Sequence, residues 1–180
     1  MRPDLAVDSM PFVSDDAPSV IPPGGRILDE EERRALLGEM SDIVAKSHLF
    51  KSLDDDGRAR VLRSGYVCSF GAGEEMIRQG DTGRTMYLIL NGKVRVETQT
   101  PGGNVVLAEL GHGACIGEVS VLTGGERTAT VTTLSDVDAV AFERHRIERV
   151  LADYPKVRSL LEALVEGRAR DTIEKIVGSS

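Results

Sequence analysis

A glycine, a glutamate and an arginine are spaced so that they could bind a phosphate next to a sugar. The segment Gly117–Leu122 is typical of one short helical turn, and Arg127 follows Glu118 by nine residues. The free backbone amides of a helix N-terminus favour a phosphate, and a guanidinium can donate to two phosphate oxygens at once. A carboxylate can accept a hydrogen bond from a sugar hydroxyl. This pattern indicates a site for a small anionic ligand within residues 111–131.

The same residues also have ordinary structural explanations. An arginine after the pair Gly124-Gly125 is often a surface residue, and a glutamate at a helix start often does no more than stabilise the helix dipole. Thr128, directly after Arg127, adds a hydroxyl that suits either explanation. The spacing by itself leaves the ligand site and the plain surface as alternatives.

The composition and charge of the chain argue against several classes of protein. The chain of 180 residues has 29 acidic and 22 basic residues, a formal net charge of −7. Nucleic-acid binders usually carry a basic field, so this balance argues against DNA as a partner. No apolar run approaches the roughly 20 residues that span a bilayer, and the N-terminus has no secretory signal pattern. We therefore expect a cytoplasmic protein without a membrane segment.

The cysteines and histidines of the sequence do not indicate a catalytic or metal-binding site. Cys68 and Cys115 lie far apart without a CxxC spacing, so we expect two free thiols and neither a disulfide nor a zinc site. His48, His112 and His145 have no obvious catalytic partners and no metal-ligand spacing, and the sequence shows no nucleophile motif. We predict that the chain is not an enzyme and has no catalytic residue, metal site or cofactor.

The candidate site lies within a region whose pattern is typical of β-structure. Between Gly65 and Phe142, short runs with alternating apolar residues are separated by turn residues. These runs are Tyr66–Phe70, Glu75–Arg78, Thr85–Leu90, Lys93–Thr98, Val105–Leu110, Thr128–Thr133 and Val137–Phe142. About eight short strands at this spacing predict an antiparallel, jelly-roll-like β-roll. Asn91-Gly92 predicts a two-residue hairpin between two of them.

Helical patterns flank this region. Asp29 and Glu32 have the spacing of a capping box, which predicts a helix from there to about Lys46. Leu53–Leu62 indicates further short helical turns, and Arg144–Asp153 predicts a helix after the strands. Pro155 suits the start of a last helix. Its apolar stripe comprises Val157, Leu160, Leu161, Leu164 and Val165, with Ile173 and Ile176 as a continuation. The sequence leaves alternative roles open for this stripe. It either packs on the roll, or it closes over a ligand or pairs with a second subunit.

These patterns divide the chain into four parts. Residues 1–26 are rich in proline, serine and aspartate and are predicted to be a flexible tail. Residues 27–50 form an N-terminal helical segment, and residues 51–143 form the β-roll with its phosphate-binding cassette at 111–131. Residues 144–180 form C-terminal helices.

Paired blocks around the candidate site resemble the cyclic nucleotide-binding family. The segment Ile116–Leu122, followed by Arg127–Val131, is similar to the phosphate-binding cassette of that family. Gln79-Gly80-Asp81 before Tyr87-Leu88-Ile89, and Asn91-Gly92-Lys93-Val94 after them, match in the same order. The family includes bacterial catabolite activator proteins, regulatory subunits of cAMP-dependent kinase and cyclic nucleotide-gated channels. The likeness runs from about His48 to Leu164.

The resemblance implies a role for each cassette residue. Glu118 would hold the ribose 2′-hydroxyl, Arg127 would pair with the cyclic phosphate, and Thr128 would lie beside phosphate and base. Backbone amides of Gly117–Val119 and of Ala129 would complete the anion site. An apolar wall would be formed by four residues, which are Val96, Leu107, Leu110 and Ile116.

Two positions depart from what the resemblance implies. Cys115 stands where many relatives carry an aromatic residue or a serine, so we expect altered packing there. No residue is identified that covers the purine from the C-terminal helix. Arg168 and Arg170 are candidates by position only, and a solvated surface position is the alternative for each.

These observations predict a regulatory sensor that binds cAMP or cGMP. A conformational change of its helices would then transmit ligand binding to a partner protein or to a second copy of the chain. The alternative is a module of the same fold that no longer binds ligand and serves in an assembly. In the activator proteins a helix-turn-helix follows the long helix. About 16 residues remain here after Leu164, so we expect no such domain.

Overall fold

The fold is a β-roll with helices at both ends, as the sequence predicts, and the described part of the chain has nine strands where about eight were expected. A computed structural model describes residues 23–178, without the side chains of 168, 169, 171–176 and 178. The predicted tail up to residue 22, the Arg168 side chain, and the apolar continuation at Ile173 and Ile176 therefore lie outside the described part. No helix within the described range is long and apolar enough to cross a membrane.

Two antiparallel sheets form the roll. The strands in chain order are β1 (Arg26–Ile27), β2 (Tyr66–Phe70), β3 (Glu75–Ile77), β4 (Thr85–Asn91), β5 (Val94–Thr100), β6 (Gly103–Leu110), β7 (Cys115–Ile116), β8 (Thr130–Thr133) and β9 (Val137–Glu143). One sheet has the order β1-β2-β9-β4-β7 and the other the order β3-β8-β5-β6. The sequence missed β1 and β7 because a two-residue strand shows no alternation.

The predicted Asn91-Gly92 hairpin is wrong, because β4 and β5 belong to different sheets and do not pair. Gly92 has a φ of +88°, and a Cβ atom there would overlap the carbonyl oxygen of Asp136. The turn at Asn91-Gly92 packs against this carbonyl and connects β4 of one sheet to β5 of the other. The two-residue hairpin occurs one strand later, where Thr100 pairs with Gly103.

Between residues 23 and 178, seven helices surround the roll. They are α1 (Glu30–Gly38), α2 (Met40–Lys46), α3 (His48–Ser52), α4 (Asp55–Arg63), α5 (Glu118–Thr123), α6 (Arg144–Ala152) and α7 (Pro155–Gly178). The capping box of Asp29 and Glu32 is present at the start of α1. The single helix expected up to Lys46 is interrupted at Glu39, directly after a glycine, which is a poor helix former.

Two of the predicted domain boundaries differ from the structure. Arg26, placed at the end of the tail, pairs with Val67 in the first sheet. The range 51–143, assigned to the roll, contains the whole of α4, which packs with α1 and α6. Apart from the two-residue β1, the strands of the roll therefore begin at β2, and the helical segment before β2 extends past its predicted boundary at residue 50.

Two apolar clusters hold the elements together. The larger joins the helices to the first sheet, and the rings of Phe50 and Phe142 meet edge to face in it at 6.2 Å. The smaller lies between the two sheets and includes Ile77, Ile116 and Val131. Because these three side chains are buried on rigid strands, they provide a fixed apolar wall for the site described next.

Candidate ligand-binding site

One cavity opens to solvent beside α5. Its lining combines branched aliphatic side chains with a few charged and polar ones. The lining residues are Ile77, Val96, Leu110, Cys115, Ile116, Gly117, Glu118, Val119, Ser120, Arg127, Thr128, Ala129 and Val131. Nine of the ten predicted site residues are among them, so the structure brings these nine together.

Leu107 is the one selected residue that does not line the cavity. Val96 pairs with Ala108 and Glu97 pairs with Val106, which leaves Leu107 as the extra residue of a β-bulge. A bulge changes the direction in which the following side chains point. The family resemblance placed Leu107 on the cavity wall, whereas in the structure this residue is half-buried outside the cavity.

Four lining residues were not selected, namely Ile77, Cys115, Ser120 and Val131. Val131 follows Ala129 by two residues within the predicted strand Thr128–Thr133, so strand alternation was a signal for it. Ser120 faces the cavity only because α5 is a helix that begins at Glu118. Cys115 was noted as a departure from the family pattern, and the structure places it in the wall.

The geometry of α5 depends on Gly117. This residue caps the helix with a φ of +76°, in the left-handed region that favours glycine. A Cβ atom at this position would overlap Nη1 of Arg127 and lie 3.1 Å from the carbonyl oxygen of Thr85. The absence of a side chain therefore lets the cassette backbone and the arginine approach each other closely. The first amides of the helix have no intrahelical acceptor.

Arg127 is a buried cation, with 8% of its surface exposed. Its Nη1 donates to the carbonyl oxygen of Gly117 at 3.1 Å and to Oγ of Ser120 at 2.8 Å. Its Nη2 donates to the carbonyl oxygen of Thr85. All three acceptors are neutral, and no carboxylate among the described residues forms an ion pair with this guanidinium.

Burial lowers the pKa of the Arg127 guanidinium, while Tyr87 and Asp81 oppose that change. An arginine side chain nevertheless keeps its proton in proteins. Buried charges are normally paired with an opposite charge. The cavity wall therefore presents a desolvated positive charge held by neutral oxygens, which is suited to an anion.

Glu118 supplies the negative side of the cavity, and only 5% of its surface is exposed. It occupies the first position of α5. Burial and the Glu118 charge both raise the pKa of the neighbouring Cys115 thiol. A thiol that stays protonated is a poor nucleophile, so Cys115 acts as an apolar part of the wall.

Thr128 and Ala129 also line the cavity. Thr128 is exposed, and its carbonyl oxygen accepts a hydrogen bond from Oγ1 of Thr98 at 3.3 Å. Ala129 is half-buried beside it.

Arg170, a candidate for covering a purine, is exposed and does not line the cavity. Within the described residues, no cluster of histidine, cysteine and carboxylate side chains could hold a metal ion.

Comparison with known proteins agrees with this geometry. Residues 67–154 match the family model described as "Cyclic nucleotide-binding domain". A CRP-like cAMP-activated global transcriptional regulator of Mycobacterium tuberculosis is 28% identical over 134 residues, which is 74% of this chain and 60% of the regulator. The chain therefore spans less than two thirds of that protein.

Two solved structures extend the likeness. The cAMP-bound regulatory domain of Toxoplasma gondii PKA has a TM-score of 0.62 and 28% identity, covering 71% of this chain and 47% of that one. The N-terminal domain of a transcriptional regulator from Streptomyces coelicolor has a TM-score of 0.58 and 31% identity, covering 72% of this chain and 94% of that one.

Proposed function

Since the chain belongs to the cyclic nucleotide-binding domain family, we propose that its cavity binds cAMP or cGMP and that binding is transmitted through the helices to a partner. The observation that carries this proposal is the buried Arg127, which faces a cavity without a paired carboxylate among the described residues. A cyclic phosphate is an anion of the size and charge that such a group binds.

Each part of the ligand has a matching part of the cavity. Arg127 donates to the phosphate oxygens, and the first amides of α5 add neutral donors to the same group. Glu118 accepts from the ribose 2′-hydroxyl. Val96 and Leu110 form the apolar surface against which the purine lies. Hydrogen bonds to charged groups contribute about 1.5–3 kcal/mol each, so the phosphate contacts dominate affinity.

Transmission follows from the packing of α5. One side of this helix lines the cavity, while Val121 on the other side belongs to the same apolar cluster as Ile147 of α6 and Leu161 of α7. A ligand that binds one position of α5 better than another shifts the position of α7 with it. The receiver of this movement is a partner protein or a second copy of the chain.

Calorimetric titration with cAMP, cGMP and AMP tests the proposal. We expect both cyclic nucleotides to bind, with cAMP modestly tighter, and AMP to bind more weakly because its phosphate is not held in a ring beside the 2′-hydroxyl. Absence of binding heat with either cyclic nucleotide at millimolar concentration would contradict the proposal and favour a module that has lost its ligand.

Replacing Glu118 with glutamine is expected to weaken cAMP binding about five- to tenfold, because a neutral amide oxygen still accepts from the ribose but less strongly than a carboxylate. Glu126→Gln removes the same charge from an exposed residue outside the cavity and serves as the control. The loss at Glu118 should be smaller than that of Arg127→Ala. A larger loss would show that Glu118 has another role.

Replacing Thr128 with alanine is expected to lower cGMP affinity more than cAMP affinity. The guanine 2-amino group is a donor that adenine lacks, and in the syn orientation it lies over the phosphate, near this hydroxyl. One neutral hydrogen bond contributes about 0.5–1.5 kcal/mol, so the difference between the two losses should be about three- to tenfold. Competition titrations measure both affinities on the same variant. Equal losses would remove Thr128 as a discriminating residue.

A further inference from the structure

We infer that Ser120 is a positioning residue that holds the Arg127 guanidinium in the orientation from which it binds the phosphate. This inference rests on the proposed function and adds to it a side chain that itself need not touch the ligand. Ser120 lies on α5 with 2% of its surface exposed, and its Oγ accepts from Nη1 of Arg127 at 2.8 Å.

The hydroxyl is fully used in this arrangement. While its oxygen accepts from Arg127, its proton is donated to the carbonyl oxygen of Gly117 at 3.3 Å. That carbonyl also accepts from Nη1 of Arg127 at 3.1 Å. Serine, guanidinium and carbonyl therefore form a closed triangle of hydrogen bonds, which is more rigid than any one of them alone.

Three of the five guanidinium N–H donors are engaged by Gly117, Ser120 and Thr85. The two that have no protein acceptor among the described residues are the Nε–H and one N–H of Nη2. Nε and Nη2 share one edge of the planar group, and two parallel donors on one edge match two oxygens of a phosphate. Ser120 and Gly117 thus occupy the two donors of Nη1, and the Nε–H and one N–H of Nη2 are left for the phosphate.

Four residues form a cradle around the Arg127 guanidinium, namely Ser120, Gly117, Thr85 and Gly83. Close packing contributes to this cradle as well as hydrogen bonds. A Cβ atom on Gly83 would overlap Nε and Cζ of Arg127 and lie 2.6 Å from Cδ. The missing side chains of Gly83 and Gly117 are therefore the space in which the arginine lies. Packing confines the plane of the guanidinium, and the Ser120 hydroxyl determines its rotation within that plane.

The test compares Ser120→Ala with Thr123→Ala, which removes a hydroxyl from the same helix. Thr123 is exposed, and its Oγ1 donates to the carbonyl of Val119 without contacting Arg127. Alanine is the best helix former, so neither change threatens α5. We expect cAMP affinity to fall about tenfold in Ser120→Ala, since binding must then order a guanidinium that the serine no longer holds in place. In Thr123→Ala it should stay within twofold of the parent.

A second readout needs no ligand. In NMR spectra of arginine side chains, the signal of Arg127 is assigned as the one lost in Arg127→Lys. We expect hindered rotation to give separate Nη signals in the parent and in Thr123→Ala, and averaged signals in Ser120→Ala. Parent-like affinity or unchanged Nη signals in Ser120→Ala would overturn the inference. Failure of the parent itself to bind cAMP would instead overturn the proposed function. The ligand-free spectra would still test whether Ser120 restricts rotation of the Arg127 guanidinium.

Discussion

Replacing Arg127 with alanine is expected to lower cAMP affinity at least about a hundredfold. In the proposed binding mode, the change removes two charge-assisted hydrogen bonds to the phosphate, each of about 1.5–3 kcal/mol, and every 1.4 kcal/mol is a factor of ten in Kd. No other cationic side chain lines the cavity within the described residues. Calorimetric titration of the folded variant measures this loss directly.

Two further variants make the Arg127 result specific. Arg127→Lys keeps the charge but not the planar pair of donors, so it should also bind weakly. Arg84→Ala removes an exposed arginine that does not line the cavity, and it should bind like the parent. Thermal unfolding of each variant separates lost affinity from lost structure. A Kd for Arg127→Ala within threefold of the parent would show that the phosphate is bound elsewhere.

Replacing Gly83 with alanine is expected to cost nearly as much affinity as removing Arg127, about fifty- to a hundredfold, although Gly83 does not line the cavity. The added Cβ atom would overlap Nε and Cζ of Arg127, so the guanidinium must leave its position. The backbone of Gly83 does not have a positive φ, so alanine is not strained there by conformation. The loss should therefore arise from the displaced arginine.

A double-mutant cycle isolates that cause. Overpacking costs about 1–3 kcal/mol of unfolding free energy, and this cost of Gly83→Ala should disappear when Arg127 is already alanine. Gly125→Ala is the matched control, because a Cβ atom there meets only Oγ1 of Thr123 at 3.4 Å. An unchanged affinity in Gly83→Ala, or an equal stability cost in both backgrounds, would contradict the proposed cradle.

The parts of the site that could be predicted from the sequence are local ones. Gly117 and Glu118 lie next to each other, and Arg127 follows within one turn and a loop, so their types and spacing already indicate an anion site. The capping box at Asp29 depends on residues three apart and was found for the same reason. Chemistry carried by neighbours in sequence can be inferred without knowing the fold.

The parts that could not be predicted depend on contacts between distant segments. Gly83 and Thr85 lie more than forty residues before Arg127 (42 for Thr85), and nothing in their own neighbourhood shows that an arginine packs on them. The bulge that turns Leu107 away is set by its pairing with β5. The Asn91-Gly92 turn has the composition of a hairpin, and only its packing on Asp136 decides that it joins two sheets.

The most direct test of the account is an NMR titration of the parent protein with cAMP, followed on backbone amides and on the Nε–H of Arg127. We predict that the largest shifts occur at residues 116–120 and 127–129 and at the Arg127 side chain, with smaller shifts in α6 and α7. Saturable shifts confined to another surface, or no shifts at millimolar cAMP, would contradict the claim that this cavity binds a cyclic nucleotide through Arg127.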